Sequence, residues 1–141
     1  MRPAKGLTIK ANVGWSDALY EDYLTTIAGR PMQLSGYHQV LTPQVRVGGG
    51  FLYAPPRAWR GSFTSNWIGA HWLNSLNTFE APAYAVLDAS LGYRFEKFTV
   101  AVLGSNLNDR RDAVQLSELG EGQFYRLPAR RVDATVTWHY K

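Results

Sequence analysis

The side chains able to do chemistry are few and scattered. His38, His71 and His139 lie far apart and offer no i, i+4 pair for a metal on a helix. The chain has no cysteine, which removes thiolate metal sites, disulfides and a thiol nucleophile. A hydrolytic arrangement of His38, Asp88 and a serine lacks the Gly-x-Ser-x-Gly turn that would present the nucleophile. The paired acids Glu21-Asp22 and Glu118/Glu121 fall between the apolar runs, where they serve solubility. Gly48-Gly49-Gly50 leads into no helix, so it is not a phosphate loop; within a strand, glycines permit bending and close approach. No catalytic residue, metal site or cofactor is expected, and the chain is not expected to be an enzyme.

What remains is the scaffold. The 141 residues are 45% apolar, 13% aromatic and 18% charged, enough for one modest domain or a piece of a larger one. A charged share below the ~25% usual for soluble domains, with many aromatics, argues against a disordered chain. No stretch approaches ~18 consecutive apolar residues, which excludes a membrane-spanning helix. Met1-Arg2-Pro3-Ala4-Lys5 leads into no apolar h-region, so no signal peptide is expected. The net charge is +4 and the pI about 9.5. The cations are dispersed, and Arg110-Arg111 and Arg130-Arg131 are each followed within two residues by Asp112 or Asp133. No nucleic-acid partner is expected.

Alternation with period two dominates, which predicts strands. Six runs carry it: 7–16, 44–53, 59–68, 84–95, 98–106 and 131–140. In the first, Leu7, Ile9, Ala11, Val13 and Trp15 oppose Thr8, Lys10, Asn12, Gly14 and Ser16. In the last, Val132, Ala134, Val136, Trp138 and Tyr140 oppose Arg131, Asp133, Thr135, Thr137 and His139. Every charge in these runs (Lys10, Arg46, Arg60, Asp88, Arg94, Arg131 and Asp133) falls on the polar parity. That parity is rich in Gly, Ser, Thr and Asn, a composition suited to a crowded, wet interior.

The links between runs alternate long, short, long, short, long: 17–43, 54–58, 69–83, 96–97 and 107–130. Outer-membrane barrels alternate long outer loops with short periplasmic turns in this way. Strands of about ten residues at ~3.3 Å each, tilted ~45°, span the ~25 Å apolar band of such a membrane. Tyr53, Trp59, Phe95, Phe98, Trp138 and Tyr140 gather at the short-turn end, with Trp15 and Trp67 at the other, where interfacial girdles belong. The fold class is therefore all-β: an antiparallel up-and-down meander of about six long strands, a fragment of a transmembrane β-barrel.

Three stretches, NTFEAPAYAVLDASLGYRF, FTVAVLGSNLNDRRD and FYRLPARRVDATVTWHYK, carry a closer signal. Tyr84 and Asp88 form a Tyr-x-x-x-Asp strand; Asn106-Leu107-Asn108-Asp109 and Pro128-Ala129-Arg130 follow. In these features the chain resembles the C-terminal barrel segment of TonB-dependent outer-membrane receptors, firmly over 84–141 and loosely before. Asn108 stands where the family's Asn-Leu-Phe-Asp segment carries Phe, and the chain ends in Lys141 where the family ends in an aromatic residue.

The resemblance implies that 1–141 is the C-terminal part of such a barrel, without the plug and the remaining strands of a twenty-two-stranded wall. Six strands are fewer than the eight of the smallest familiar membrane barrels, so a fragment is expected, not a transporter by itself. The implied location is the outer membrane of a Gram-negative bacterium. The implied partners are outer-membrane lipid, the rest of barrel and plug, TonB acting through the plug, and a scarce ligand such as a ferric siderophore. Tyr37, His38, His71, Trp72 and Phe79, in the first two long links, become candidate ligand contacts, although loop packing explains them more simply. Arg46, Arg60, Asp88, Arg94, Arg131 and Asp133 would face the lumen, contacting the plug and pairing across strands. A soluble β-sandwich binding module or the end of another outer-membrane barrel are the alternatives.

Overall fold

Residues that alternate strictly in polarity are most stable as extended chain, because each face then meets one environment. The computed structural model describes residues 5–56, 58–117 and 122–140; residues 1–4, Glu118, Glu121 and Lys141 lie outside them. The described residues form twelve strands in chain order: β1 (Leu7–Trp15), β2 (Leu24–Ile27), β3 (Arg30–Gln33), β4 (Val45–Tyr53), β5 (Ala58–Ile68), β6 (His71–Trp72), β7 (Glu80–Ala81), β8 (Tyr84–Arg94), β9 (Phe98–Ser105), β10 (Ala113–Leu116), β11 (Phe124–Arg126) and β12 (Arg131–Trp138). The six long strands coincide with the six runs of alternation to within two residues at each end. They form one antiparallel meander in the order β1-β4-β5-β8-β9-β12, leaving β1 and β12 as its edges.

Each long link also contains a two-stranded hairpin: β2–β3, β6–β7 and β10–β11. The β2–β3 hairpin turns at Ala28-Gly29, both with positive φ (50° and 78°). That is the requirement of a two-residue type I′ turn, which glycine meets without strain.

Register keeps the two parities apart across the sheet. Lys10 lies opposite Gly50, Gly50 opposite Thr64, and Thr64 opposite Asp88. On the other face Ile9 lies opposite Phe51, Phe51 opposite Phe63, and Phe63 opposite Ala89. The sheet is hollowed on the polar side. One depression is lined by Thr8, Lys10, Asn12, Ser62, Thr64 and Asn66, a second by Arg60, Ser90, Thr99, Thr135, Thr137 and His139.

Gly50 explains part of this curl. A Cβ placed on it would overlap the Phe63 carbonyl oxygen and crowd Thr64, whereas one on Gly49 would meet nothing closer than the Lys10 carbonyl oxygen at 3.7 Å.

Among the described residues no second layer covers the apolar side. Val136 is 71% exposed, and Val13, Trp15, Phe51, Trp59, Leu91, Val102, Val132 and Trp138 are exposed with it. The buried apolar side chains among the described residues, Leu34, Leu73 and Ala81, all belong to the long links. Aromatic rings run in sequence along the short-turn margin: Trp59–Tyr93 at 5.3 Å, Tyr93–Phe95 at 4.7 Å, Phe95–Phe98 at 4.5 Å and Phe98–Trp138 at 6.0 Å. A contiguous apolar sheet face bordered by aromatics needs an apolar solvent, because in water it would aggregate.

Two outcomes follow for the chain refolded in detergent micelles. Gly50→Ala lowers unfolding stability by about 1–3 kcal/mol through overpacking, while Gly49→Ala leaves the urea midpoint unchanged. Val102→Arg on the apolar face costs about 2–4 kcal/mol, while Thr135→Arg on the hollow face costs far less. Equal costs on the two faces would overturn the assignment of sides.

Candidate functional site

The long links pack on one another at one end of the sheet. Asn77, in the left-handed region that Asn tolerates, accepts the His38 N–H at 2.7 Å and donates to the His38 carbonyl at 3.0 Å. One amide side chain thus pairs with both polar backbone groups of a residue thirty-nine positions away. Asn74 shapes the same turn by accepting the Thr78 and Phe79 amides at 2.9 and 3.1 Å. The Leu41 N–H donates to the Trp72 carbonyl at 2.9 Å, a second tie between the first and second links. Phe79 meets Phe124 edge-on at 6.0 Å, which joins the second link to the third.

Between the first two links lies a hollow of ≈ 360 Å³, lined among others by His38, Gln44, Trp67, His71, Trp72 and Glu80. Three of the five loop residues singled out in the sequence therefore converge: His38, His71 and Trp72. Tyr37 and Phe79 do not reach this hollow; Tyr37 is used in backbone bonds to Tyr20 and Leu34, and Phe79 in the contact with Phe124. His71 is 6% exposed, its Nδ1 bonds the Gly69 carbonyl oxygen at 3.0 Å, and its ring packs near Tyr84. That is a packing role. His38 stands 4.0 Å from the Asp17 carboxylate, and no cluster of three metal-ligating side chains occurs among the described residues. Gln44, Trp67 and Glu80 enter the hollow from strand ends or a loop hairpin, and no sequence motif marks them.

The base of the third link is a denser knot. Asn106 has φ +50° and is 6% exposed. Its Nδ2 donates to the carbonyls of Arg110 (2.9 Å) and Pro128 (2.7 Å), its Oδ1 accepts the Arg110 N–H (2.9 Å), and its own N–H donates to Asp88 (2.8 Å). Asn108 accepts the Leu87 N–H at 3.2 Å and donates to the Ala85 carbonyl at 2.7 Å. The Leu107 N–H bonds the Leu87 carbonyl at 2.7 Å. The segment after β9 therefore continues the ladder along β8 with one backbone bond and one side-chain amide. The Asn108 side chain is thus used for hydrogen bonding to β8.

Asp109 accepts the Arg130 N–H at 2.9 Å and Arg111 Nε at 3.1 Å. The Arg130 amide chiefly, and the Arg111 guanidinium after it, hold the Asp109 carboxyl below its ordinary range against opposing desolvation. Arg110 grips Asp112 with two bonds, at 2.7 and 2.6 Å, a bidentate charge-assisted pair. The Asn106–Asp109 and Pro128–Arg130 segments are thus two sides of one clamp.

Arg46, Arg60, Asp88, Arg94, Arg131 and Asp133 all occupy the hollow-face parity by register. Asp133 is paired along its own strand with Arg131 at 2.8 Å.

This geometry defines a class of fold: six strands in the manner of an outer-membrane β-barrel wall, with their loops gathered at one end. Solved structures share it. The fold superimposes on the siderophore receptor PiuA from Acinetobacter baumannii (TM-score 0.80, 16% identity, 98% of this chain and 20% of that one). It also matches the ferric yersiniabactin uptake receptor FyuA from Yersinia pestis (0.68, 21%, 96% and 20%). BauA, the ferric preacinetobactin receptor from Acinetobacter baumannii, is similar as well (0.71, 18%, 97% and 20%). The chain thus has the fold of a barrel segment of such receptors and spans about one fifth of their length. No family model matches the sequence, and no curated protein does.

Replacing Asn106 with Ala strands two carbonyls and an amide and is expected to cost about 1–3 kcal/mol. Trypsin should then cut at Arg111 and Arg126 faster than in the parent chain; unchanged cleavage would mean that the clamp does not hold the loop. The Asp109 carboxyl titrates lower folded than unfolded, so its stabilisation is complete above the unfolded value of about 3.9 and is lost as pH falls through the folded one. Protection of the Arg130 amide, measured as exchange relative to the intrinsic rate at each pH, should therefore fall only below about pH 4.

Proposed function

We propose that this chain is the C-terminal wall and loop segment of a TonB-dependent outer-membrane receptor that takes up a scarce ligand of the ferric siderophore type. The observation that carries the reading is the sheet itself. It is a single layer with an exposed apolar side and a hollowed, charged side, in the fold of three receptors for such ligands. A β-sandwich would bury Val132, Val136 and Trp138 against a second sheet; here they are exposed.

On this reading the apolar side faces outer-membrane lipid and the hollowed side faces the lumen. The further strands and the plug come from polypeptide beyond this segment, and TonB acts through that plug. The loops gather the ligand, with His38, Gln44, Trp72 and Glu80 as its first contacts and His71 as packing behind them. The role is binding and passage, not catalysis, so no bond in the cargo is made or broken by these residues.

The test is transport under iron limitation. Deleting the gene that encodes the chain should abolish uptake of radio-iron from one chelate in a panel of catecholate, hydroxamate and carboxylate siderophores, leaving the others intact. Unchanged uptake of the whole panel would overturn the reading.

A further inference from the structure

The second link sets an acid beside an indole. Glu80 and Trp72 lie directly opposite each other in the β6–β7 hairpin, so their side chains leave one face of it with Cβ atoms about 5 Å apart. Both line the ≈ 360 Å³ hollow between the first two links. Trp67 joins them there. A Cβ placed on Gly69 would come within 3.5 Å of the Trp67 ring carbon Cη2, so the tip of that indole lies against the turn that leaves β5. Glu80 is exposed, and among the described residues no ion pair reaches it.

The charge of the hollow has one sign. No lysine or arginine is among the described residues that line it. His38 can take up a proton, but the Asp17 carboxylate stands 4.0 Å away to offset it. Arg46 lines a separate depression with Trp15 and Gln44. A carboxylate attracts a cation directly, and an indole face attracts one through its quadrupole. An anion would meet Glu80 with no lining cation to balance it. The hollow is at the small end of ligand sites, with room for one arm of a chelate.

We infer that this hollow selects cargo by charge, seating a protonated amine arm of an iron chelate on Glu80 between the indoles of Trp67 and Trp72. Chelates that carry such an arm are preferred, and anionic catecholate and carboxylate chelates are refused. The inference rests on the receptor reading and deepens it, because it names which member of the siderophore panel the loops accept.

The experiment uses the whole chain refolded in nonionic detergent micelles, with equilibrium dialysis of radio-iron chelates as the readout. The first probe is the iron(III) complex of a linear trihydroxamate that ends in a primary amine. The second is the same complex with that amine acetylated. The parent chain should bind the first about tenfold tighter than the second, the combined effect of a surface ion pair and the ring contacts. It should bind an iron(III) tris-catecholate no better than empty micelles do, and added salt should narrow the preference. Glu80→Gln should lower the amine-ended complex to the affinity of the acetylated one and leave the acetylated one unchanged, which separates lost charge from lost folding. Glu21→Gln, an acid of the first link outside the hollow, should keep the preference. The inference is overturned if the tris-catecholate binds as tightly as the amine-ended complex, or if Glu80→Gln keeps the preference. It is overturned equally if no chelate binds, or if pentylamine at the same concentration displaces the complex, which would mark a site for free amines. Because binding is read without transport, a chain without the charge preference can still pass the uptake experiment, and the two failures are distinct.

Discussion

The structure depends on one constraint: a sheet whose apolar face has no protein layer over it must be covered by something equally apolar. An apolar cover offers no hydrogen bonds, so the backbone groups beneath it depend on the sheet itself for partners. The consequences are visible in sequence. Strands run long and unbroken, short turns join them at one end, and charges are confined to the hollowed side. Among the described residues the buried apolar side chains, Leu34, Leu73 and Ala81, lie in the loops, so the loops have a small core of their own while the wall has none.

The second constraint falls where strands end. At the loop end the chain leaves the ladder and its polar backbone groups need new partners. Asn77, Asn106 and Asn108 supply them, each with an amide that donates and accepts at once. Asparagine suits this work because it also tolerates the left-handed backbone found at Asn77 and Asn106. The Asn-Leu-Asn-Asp and Pro-Ala-Arg segments, far apart in sequence, thus form one device that fixes the third loop to the wall.

Much of the wall was legible in advance. A period of two is a local property: residues 131–138 alternate whether or not their partners are known, and so do the other five runs. The loop hairpins were not legible. β2 and β3 are four residues each, Pro31 argues against a strand, and β6 and β7 are two residues apiece. Of the loop residues picked out by type, His38, His71 and Trp72 do come together, but His71 is spent on packing. Gln44, Trp67 and Glu80 join them only because strand ends and hairpins bring them there.

The sequence by itself determined the strands, their register parity and the separation of the apolar from the polar face, because each follows from the chemistry of neighbours along the chain. The tertiary structure alone decided which polar residues converge, which carboxylate stands unpaired among them, which of three consecutive glycines the curl requires, and how residues thirty-nine apart share a turn. Those are properties of distance in space, and no pattern of spacing along a chain encodes the return of a long loop to a point of its own wall.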